Sequence, residues 1–518
     1  MPFRLVLQSI TQALRTSACC ISHKTADDLA ICCVKRPNKI RWGVVHAFAP
    51  FPRSRMSQAS TSLDSGSDSA TQSGKMYTIL IIAFLGWMFA GSHMAINGIT
   101  YHSVATSLLP DASAVPKWIG FLVVAFLLGA AAGGYVFGWV GDRFGRSKAM
   151  ALSIAFYSIF SFVSLLSPRI EIFWLLRFLT CMGIGGMWPN GMALLQEAWP
   201  NTAKPILAGI LGTAANVGIA LFAYICIHKD VNPDDWQWTY MAGSAPILLA
   251  IASWFLVPES PKWLQQQSAS NEENGPRKVG MGEVFSPPHL KLTLIGIILA
   301  FVPLFGGWGV ANWATYWAAE ADEEARLAQV AKEQNSATKA KETQADEANT
   351  ASKKTATNKK AQTSFNRAWT GSISSLLGGA LAMFLGRRIC YAILCACAFT
   401  CTQMLYSLPD PNSAGFQMWV SALGFFSGFF FGWLPLCLPE MFPTRVRSTG
   451  GGVSFNFGRI IVASLILLTA FALKEQFGGR YDLVGRVCGF MYLTGIAAVL
   501  LMPRSDERSM LSKLLHSK

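Results

Sequence analysis

Long apolar stretches separated by short polar loops recur along the chain between residues 76 and 502. A hydrocarbon core about 30 Å thick needs roughly 20 apolar residues in a helix that rises 1.5 Å per residue. Short alternating segments, which would indicate a membrane barrel, are not found in the sequence. The pattern therefore predicts an all-α membrane protein with helices at 76–99, 117–140, 149–167, 171–195, 205–227, 237–257, 291–317, 366–385, 388–407, 414–438, 449–473 and 483–502.

The two halves of the chain resemble each other at fixed spacing. Residues 197–209 share their pattern of Glu, Pro, a basic residue and Gly with residues 440–452, an offset of 243. Residues 138–146 match residues 379–387 at an offset of 241. A nearly constant offset at two separated places indicates a duplicated unit. We therefore predict twelve transmembrane helices in two pseudo-symmetric six-helix bundles.

The segments outside the helices complete the predicted organisation. It consists of a disordered cytoplasmic N-terminal segment 1–75, a bundle 76–257, a central cytoplasmic loop 258–290, a bundle 291–502 with an outer insertion 319–364, and a cytoplasmic tail 503–518. The start of the insertion predicts an outward extension of helix seven, and the remainder predicts disorder. A solvated insertion and an external docking tether both fit this composition.

The first 55 residues do not resemble a signal peptide, because charges interrupt every apolar run. A polar tail follows from Met56 and leads directly into the first predicted helix. We hypothesise that Met56 is the start and that residues 1–55 are not translated. Intact mass of the natural protein tests this, since a mature N-terminus upstream of Met56 would refute it.

Composition and charge agree with a membrane protein. Charged residues make up only 14% of the chain, whereas soluble domains contain about a quarter. The net charge of +14 does not indicate nucleic acid, because residues 1–55 carry half of it. With the N-terminus inside, the inner loops contain Arg143, Arg146, Lys148, Lys204, Lys262, Arg387, Arg388, Arg445, Arg447 and Arg504. This concentration of basic residues in the inner loops predicts a multi-pass protein of a cytoplasmic (inner) or plasma membrane with both termini in the cytoplasm.

Enzyme, cofactor and metal chemistry are not predicted. His102 and Asp111 are isolated near an outer loop, and the sequence has no nucleotide-binding glycine-rich loop followed by Lys-Ser or Lys-Thr. The pairs Cys19-Cys20 and Cys32-Cys33 lack the separated spacing usual in metal sites. The remaining cysteines lie in or beside apolar spans, where cysteine behaves as a small apolar residue.

Three loop motifs carry a family resemblance. Residues 138–148 read GWVGDRFGRSK and resemble the signature loop of the major facilitator superfamily. Residues 258–264 read PESPKWL, which is similar to a signature of sugar porters, and residues 439–450 read PEMFPTRVRSTG, a pattern also frequent in the superfamily. Pro189-Asn190 followed by Glu197 resembles sialic-acid and aromatic-acid symporters.

The resemblance implies a charged network that closes the cytoplasmic side in the outward-facing state. Glycines permit tight turns and close helix approach, and a carboxylate near a helix N-terminus is favourable. Arg143 and Arg146 can pair with Glu197 and Glu440, although charged loops that only set topology are the alternative. The predicted cytoplasmic gate comprises Gly138, Asp142, Arg143, Gly145, Arg146, Lys148, Glu197, Glu259, Glu440 and Arg447.

The second copy of the loop differs from the first. Met383 and Phe384 occupy the positions that match Asp142 and Arg143. We therefore predict an asymmetric gate.

The resemblance also implies that helices one, four, seven and ten line a central cavity. Amide and aromatic side chains there suit a sugar-like or carboxylated solute, although helix packing also explains the aromatic residues. The candidate substrate-binding residues are His93, Asn97, Arg177, Trp188, Asn190, Trp308, Asn312 and Tyr316.

The ionisable residues within the predicted helices narrow the choice of solute. No carboxylate lies deep in any predicted helix, which argues against a cationic drug as solute. Arg177 and Arg459 are cations inside helices, which cost about 2.5–3.5 kcal/mol each, so both are expected to face the interior. Arg177 can meet a substrate carboxylate or join helices. His93, whose side chain titrates nearest to neutral pH, is the candidate proton carrier, with a neutral packing role as the alternative.

The sequence as a whole predicts a secondary active transporter of a sugar, sialic acid or aromatic or organic acid that works by alternating access, with protons as the candidate coupling ion. The alternative is a non-transporting membrane solute sensor with the same fold, from which robust uptake would distinguish it. The expected partners are the solute, protons and the lipid bilayer, but no nucleic acid, and we expect a monomer.

Overall fold

The computed structural model describes residues 65–199, 204–260, 263–265, 281–342, 358–443 and 446–503. Within these ranges the chain is almost entirely helical and has no strand. Twelve helical segments are long and apolar enough to cross a membrane. The predicted twelve-helix, all-α membrane fold is confirmed.

The spanning helices are labelled α1–α12 in chain order, with α1–α6 and α7–α12 forming the two bundles. Their bounds are Ser65–Leu108, Val115–Phe144, Arg146–Val163, Ile170–Ala198, Lys204–His228, Gln237–Ser244 with Ile247–Leu256, Pro287–Phe305 with Gly306–Val310 and Ala311–Glu342, Lys359–Leu385, Arg387–Leu405, Phe416–Glu440, Arg447–Glu475, and Tyr481–Gly489 with Met491–Leu501.

Two helices begin seven or more residues earlier than the hydropathy pattern indicated. Helix α1 begins at Ser65, inside the segment expected to be disordered, and α8 begins at Lys359, inside the expected insertion. The Asp322 carboxylate accepts hydrogen bonds from the backbone N–H of Lys359 at 3.2 Å and of Lys360 at 3.0 Å. This cap comes from the extension of α7, so a local reading of hydropathy cannot detect it. The expectations for residues 1–64, 200–203, 261–262, 266–280, 343–357, 444–445 and 504–518, which include the disorder predicted for the rest of the insertion, lie outside the described residues.

Helix α7 is interrupted where the two bundles meet. Pro303 lacks a backbone N–H, and a π-helical segment follows at Gly306–Val310. A proline and a π segment both loosen the regular hydrogen-bond ladder of a helix. The interruption leaves the carbonyl of Gly307 available to Arg367 on α8, whose Nη1 donates to it at 3.2 Å.

The two ends of the bundle differ in chemistry and are named here. The basic end carries the loops between α2 and α3, α4 and α5, α6 and α7, α8 and α9, and α10 and α11. The insertion end is the opposite end, where α7 continues to Glu342.

The two bundles approach each other closely along α5–α8 and α2–α11. A Cβ atom on Gly209 of α5 would lie 2.9 Å from the carbonyl oxygen of Leu376 on α8. A Cβ atom on Gly120 of α2 would lie 2.5 Å from the Cβ of Ala470 on α11. Small residues at such contacts let helix backbones pack tightly in a membrane. Arg459 of α11 is buried at the same interface and faces the interior, as expected.

Candidate functional site

Arg177 on α4 is a buried cation in the first bundle. Its side chain is fully buried, and its Nη2 donates to Asn97 Oδ1 on α1 at 2.6 Å. The guanidinium lies 5.0 Å from the ring centroid of Tyr240 on α6. Its Nε and Nη1 atoms are buried and make no hydrogen bond of good geometry, although Tyr101 and Cys181 lie beside the guanidinium. No carboxylate pairs with it in the described part of the chain. A buried charge without a counter-charge is costly, so this site is suited to receive an anion.

His93 lies one helical turn from Asn97 on α1 and links α1 to α6. Its Nε2 lies 2.9 Å from the carbonyl oxygen of Gly243. Because a carbonyl only accepts, Nε2 carries the hydrogen, and Nδ1 is a buried acceptor without a partner among the described residues. The ring also meets Tyr157 edge-on, with centroids 5.1 Å apart.

Arg367 on α8 is a second interior cation, which the sequence analysis missed. Its Nη1 donates to Asn312 Oδ1 on α7 at 2.8 Å as well as to Gly307. The side chain is only partly exposed. The hydropathy pattern predicts that α8 begins at residue 366. Arg367 therefore falls at the predicted helix end beside the charged insertion, and not inside the helix. The signal that could have found it is a cap for α8 upstream of the hydropathy boundary.

The candidate aromatic residues occupy different places. Trp188 packs on Trp87 of its own bundle, with ring centroids 5.0 Å apart. Trp308 packs on Phe126 across the interface between the bundles at 4.2 Å. The hydroxyl of Tyr316 is buried without a hydrogen-bond partner in the described region.

Asn190 makes the contacts of a packing residue. Its Nδ2 donates to the carbonyl oxygens of Phe137 at 3.0 Å and Gly186 at 2.9 Å. A Cβ atom on Gly141 would lie 2.1 Å from its Oδ1. Its amide therefore joins α2 to α4 near the basic end, and we leave it out of the proposed solute site.

Each bundle has an arginine–glutamate pair at the basic end. Arg146 Nη1 lies 3.2 Å from Glu197 Oε1, and Arg387 Nη2 lies 2.7 Å from Glu440 Oε2. Ser260 also donates a hydrogen bond to Glu197. The two pairs match through the repeat, so this part of the gate is present in both bundles, while the predicted asymmetry at Asp142 and Arg143 concerns other positions. Each pair lies within one bundle, whereas the sequence had allowed Glu440 to pair with the first loop.

The PESPKWL segment caps α3. Glu259 Oε1 accepts from the backbone N–H of Arg146 at 2.9 Å and of Ser147 at 3.2 Å. A carboxylate at a helix N-terminus satisfies free N–H groups and complements the helix dipole. Gly145 precedes the helix with a φ of 110°, and a Cβ there would lie 2.1 Å from Glu259 Oε2. Glycine at 145 is therefore required both by the turn and by the cap.

Three of the other predicted gate residues, Asp142, Arg143 and Lys148, are exposed. The Asp142 carboxylate has no partner among the described residues. Arg143 lies over two aromatic rings of its own helix instead of beside a glutamate. A Cβ on Gly138 would meet nothing within 4 Å. The side chain of Arg447 lies outside the description.

Polar contacts cross between the bundles at the insertion end. Lys360 of α8 is buried, and its Nζ donates to the carbonyl oxygen of Val231 and, at 3.4 Å, to Ser103 Oγ on α1. Asn358 Nδ2 donates to the carbonyl oxygen of Cys226 on α5 at 2.6 Å. We call these five residues the insertion-end clamp. The Asp322 carboxylate caps the start of α8 and so positions the clamp residues Asn358 and Lys360. The first turns of α7 beyond the bundle therefore help to hold the two bundles together at the insertion end.

Comparisons with known proteins identify the family. A family model described as Major Facilitator Superfamily matches residues 76–324, and one described as Sugar (and other) transporter matches residues 332–511. The chain is a member of the major facilitator superfamily. Membership confirms the expected family and makes the protein a multi-pass membrane transporter and not an enzyme.

Curated relatives of this transporter carry different solutes. It is 24% identical over 428 residues to the cis,cis-muconate transport protein of Acinetobacter baylyi, with 82% of this chain and 93% of that protein covered. It is 27% identical over 235 residues to a sialic acid transporter of Escherichia coli, with 45% of this chain and 54% of that protein covered.

Solved structures resemble the fold of this transporter. A D-xylose–proton symporter superposes with a TM-score of 0.59 at 19% identity, covering 84% of this chain and 99% of that one. The inward-open form of a xylose transporter from E. coli gives a TM-score of 0.59 at 18% identity, with 85% and 99% covered. At these identities the likeness shows the fold alone.

The clamp generates a testable prediction. Lys360→Met removes the ammonium donor to Val231 and Ser103, so the insertion end should open and the buried Cys226 thiol should react several-fold faster with a hydrophilic maleimide. Purified protein in nanodiscs is labelled, and Cys226 is quantified by peptide mass spectrometry. Lys359→Met is the matched control, because Lys359 bonds to Asn412 within the second bundle. Equal labelling rates in both variants would contradict the clamp.

Proposed function

We propose that this transporter is a secondary active carrier of a small carboxylated solute. The observation that carries the proposal is Arg177, a fully buried cation without a described carboxylate partner, two of whose guanidinium nitrogens make no hydrogen bond of good geometry. A solute carboxylate would supply the missing counter-charge through charge-assisted hydrogen bonds, whereas a neutral sugar would leave it unpaired. Muconate and sialic acid, named for two relatives, both bear carboxylates.

Alternating access fits the distribution of contacts at the two ends. The insertion-end clamp joins the bundles, whereas the described ion pairs at the basic end stay within their own bundles. On the predicted topology the basic end is cytoplasmic, so this arrangement corresponds to a carrier closed to the outside. In the opposite state, Asp142 and Arg143 would contact the second bundle and hold the cytoplasmic side shut.

We prefer transport to the sensor alternative. The chain keeps two bundles with small-residue contacts along α5–α8 and α2–α11, which suit one bundle rocking against the other. It also keeps a matched ion pair in each bundle. A sensor needs neither feature in both copies.

The solute class is tested by the thermal stability of the purified protein. Xylose, glucose, N-acetylneuraminate, 4-hydroxybenzoate and cis,cis-muconate are compared at high concentration. A ligand at one hundred times its dissociation constant stabilises the folded state by about 2.7 kcal/mol, so we expect a higher midpoint with carboxylated compounds only. Arg177→Gln should abolish the shift, and the same compounds should enter proteoliposomes containing wild-type protein. A shift confined to neutral sugars would overturn the proposal.

The gate is tested by Asp142→Asn. This change keeps size and removes the charge, so we expect several-fold slower uptake with an unchanged yield of monodisperse protein, because the exposed carboxylate makes no described contact in this state. Asp234→Asn, at an exposed position in the α5–α6 loop, is the control and should transport normally. Unimpaired uptake by Asp142→Asn would reject the gate.

The coupling group is tested by His93→Gln. The glutamine amide can still donate to the Gly243 carbonyl but cannot carry a proton. We therefore expect loss of accumulation driven by a pH gradient, with exchange of labelled for unlabelled solute retained. Full proton-driven accumulation by this variant would exclude His93 as the proton carrier.

A further inference from the structure

The asparagines that contact the two interior arginines lie on corresponding helices. Asn97 is on α1 and Asn312 on α7, which are the first helices of the two bundles. Each accepts a hydrogen bond from an arginine of its own bundle, at 2.6 Å from Arg177 and 2.8 Å from Arg367. The arginines come from α4 and α8, which are not equivalent helices. Each bundle therefore contains an Arg–Asn pair, but the arginines of the two pairs lie on non-equivalent helices.

The two arginines lie at similar depth. Lys360 of α8 contacts Ser103 of α1, with Nζ and Oγ 3.4 Å apart. Arg367 follows Lys360 by seven residues, and Asn97, which binds Arg177, precedes Ser103 by six. At 1.5 Å per residue these positions lie about 11 Å and about 9 Å further from the insertion end. One small molecule can therefore reach both without crossing the bundle lengthwise.

Two tyrosines link the surroundings of the two arginines. The Tyr240 ring lies under the Arg177 guanidinium at 5.0 Å, and Tyr316 of α7 is close enough to interact electrostatically with both Tyr240 and Arg367. The ionisable groups that act on the two arginines are tyrosines of other helices and Cys181 of the helix that carries Arg177, with no carboxylate among the described residues. Neither positive charge therefore has a counter-charge in the described part of the chain.

We propose that the transported solute carries two acidic groups, one for each Arg–Asn pair, which makes it a small dicarboxylate or an equivalent dianion. The proposal rests on the proposed function and names its substrate class. A single carboxylate would leave one interior cation unpaired, while two would compensate both. Only a molecule with two anionic ends holds both bundles at once, so only it favours the occluded state over the open states.

The experiment compares matched ligands by calorimetry on full-length protein in nanodiscs. The ligands are the straight-chain diacids of four to eight carbons and the ω-hydroxy monoacids of the same lengths. We expect the best diacid to bind at least about tenfold more tightly than its hydroxy acid, because a charge-assisted contact is lost. We also expect a maximum at one chain length, since the guanidinium separation is fixed. Absence of binding by every diacid, or equal affinity for the two series, overturns the proposal.

Variants assign the two ends of the ligand. Arg177→Gln and Arg367→Gln should each reduce the diacid preference to within about twofold. Arg459→Gln removes an interior arginine that instead donates to the Ala130 carbonyl at 3.3 Å, and it should keep the preference. Loss of the preference in Arg459→Gln as well would overturn the assignment. If hydroxy acids are taken up and bind as tightly as the diacids, the protein is a carboxylate carrier without the dianion site. If only neutral sugars stabilise the protein, the proposed function itself is refuted.

Discussion

The hydrogen bond between Arg177 and Asn97 places a guanidinium where the described chain offers no counter-charge. In a hydrocarbon environment that arrangement is tolerable only inside the bundle, which fixes the face that α4 turns inward. The surrounding contacts hold the site in position: Tyr240 covers the charge, and His93 ties α1 to α6 through Gly243. Much of the polar chemistry of the first bundle is organised around this one cation.

Polar side chains make contacts within each bundle at the basic end and between the bundles at the insertion end. At the basic end, arginine and glutamate pair within a bundle, and Glu259 caps α3, so each bundle is stiffened as a unit. At the insertion end, Lys360 and Asn358 bond to backbone carbonyls of the other bundle. Asn358 also donates to the Asp230 carboxylate of the first bundle at 2.9 Å, so the contacts at this end combine carbonyl and carboxylate acceptors.

The fold was predictable because hydropathy and the repeat are visible locally. Arg177, Asn97 and Asn312 could also be identified from the sequence, because polar residues inside apolar helices are conspicuous. Arg367 was not, because the cap that extends α8 comes from Asp322, far away in sequence. Asn190 illustrates the opposite case. Its residue type suggests a solute site, but its amide donates hydrogen bonds to helix carbonyl oxygens. Which hydrogen bonds a polar side chain makes depends on the neighbouring helix, and the pattern of one helix does not encode this.

Duplication has left a symmetric scaffold with an asymmetric interior. The glycine turns at Gly145 and Gly386 and the Arg–Glu pairs of the basic end occur in both copies. The interior arginines instead arise from non-equivalent helices. In the proposed solute site, two asparagines of corresponding helices would each hold an arginine from a different helix. The proposed site would therefore keep the number of its charges without keeping their symmetry.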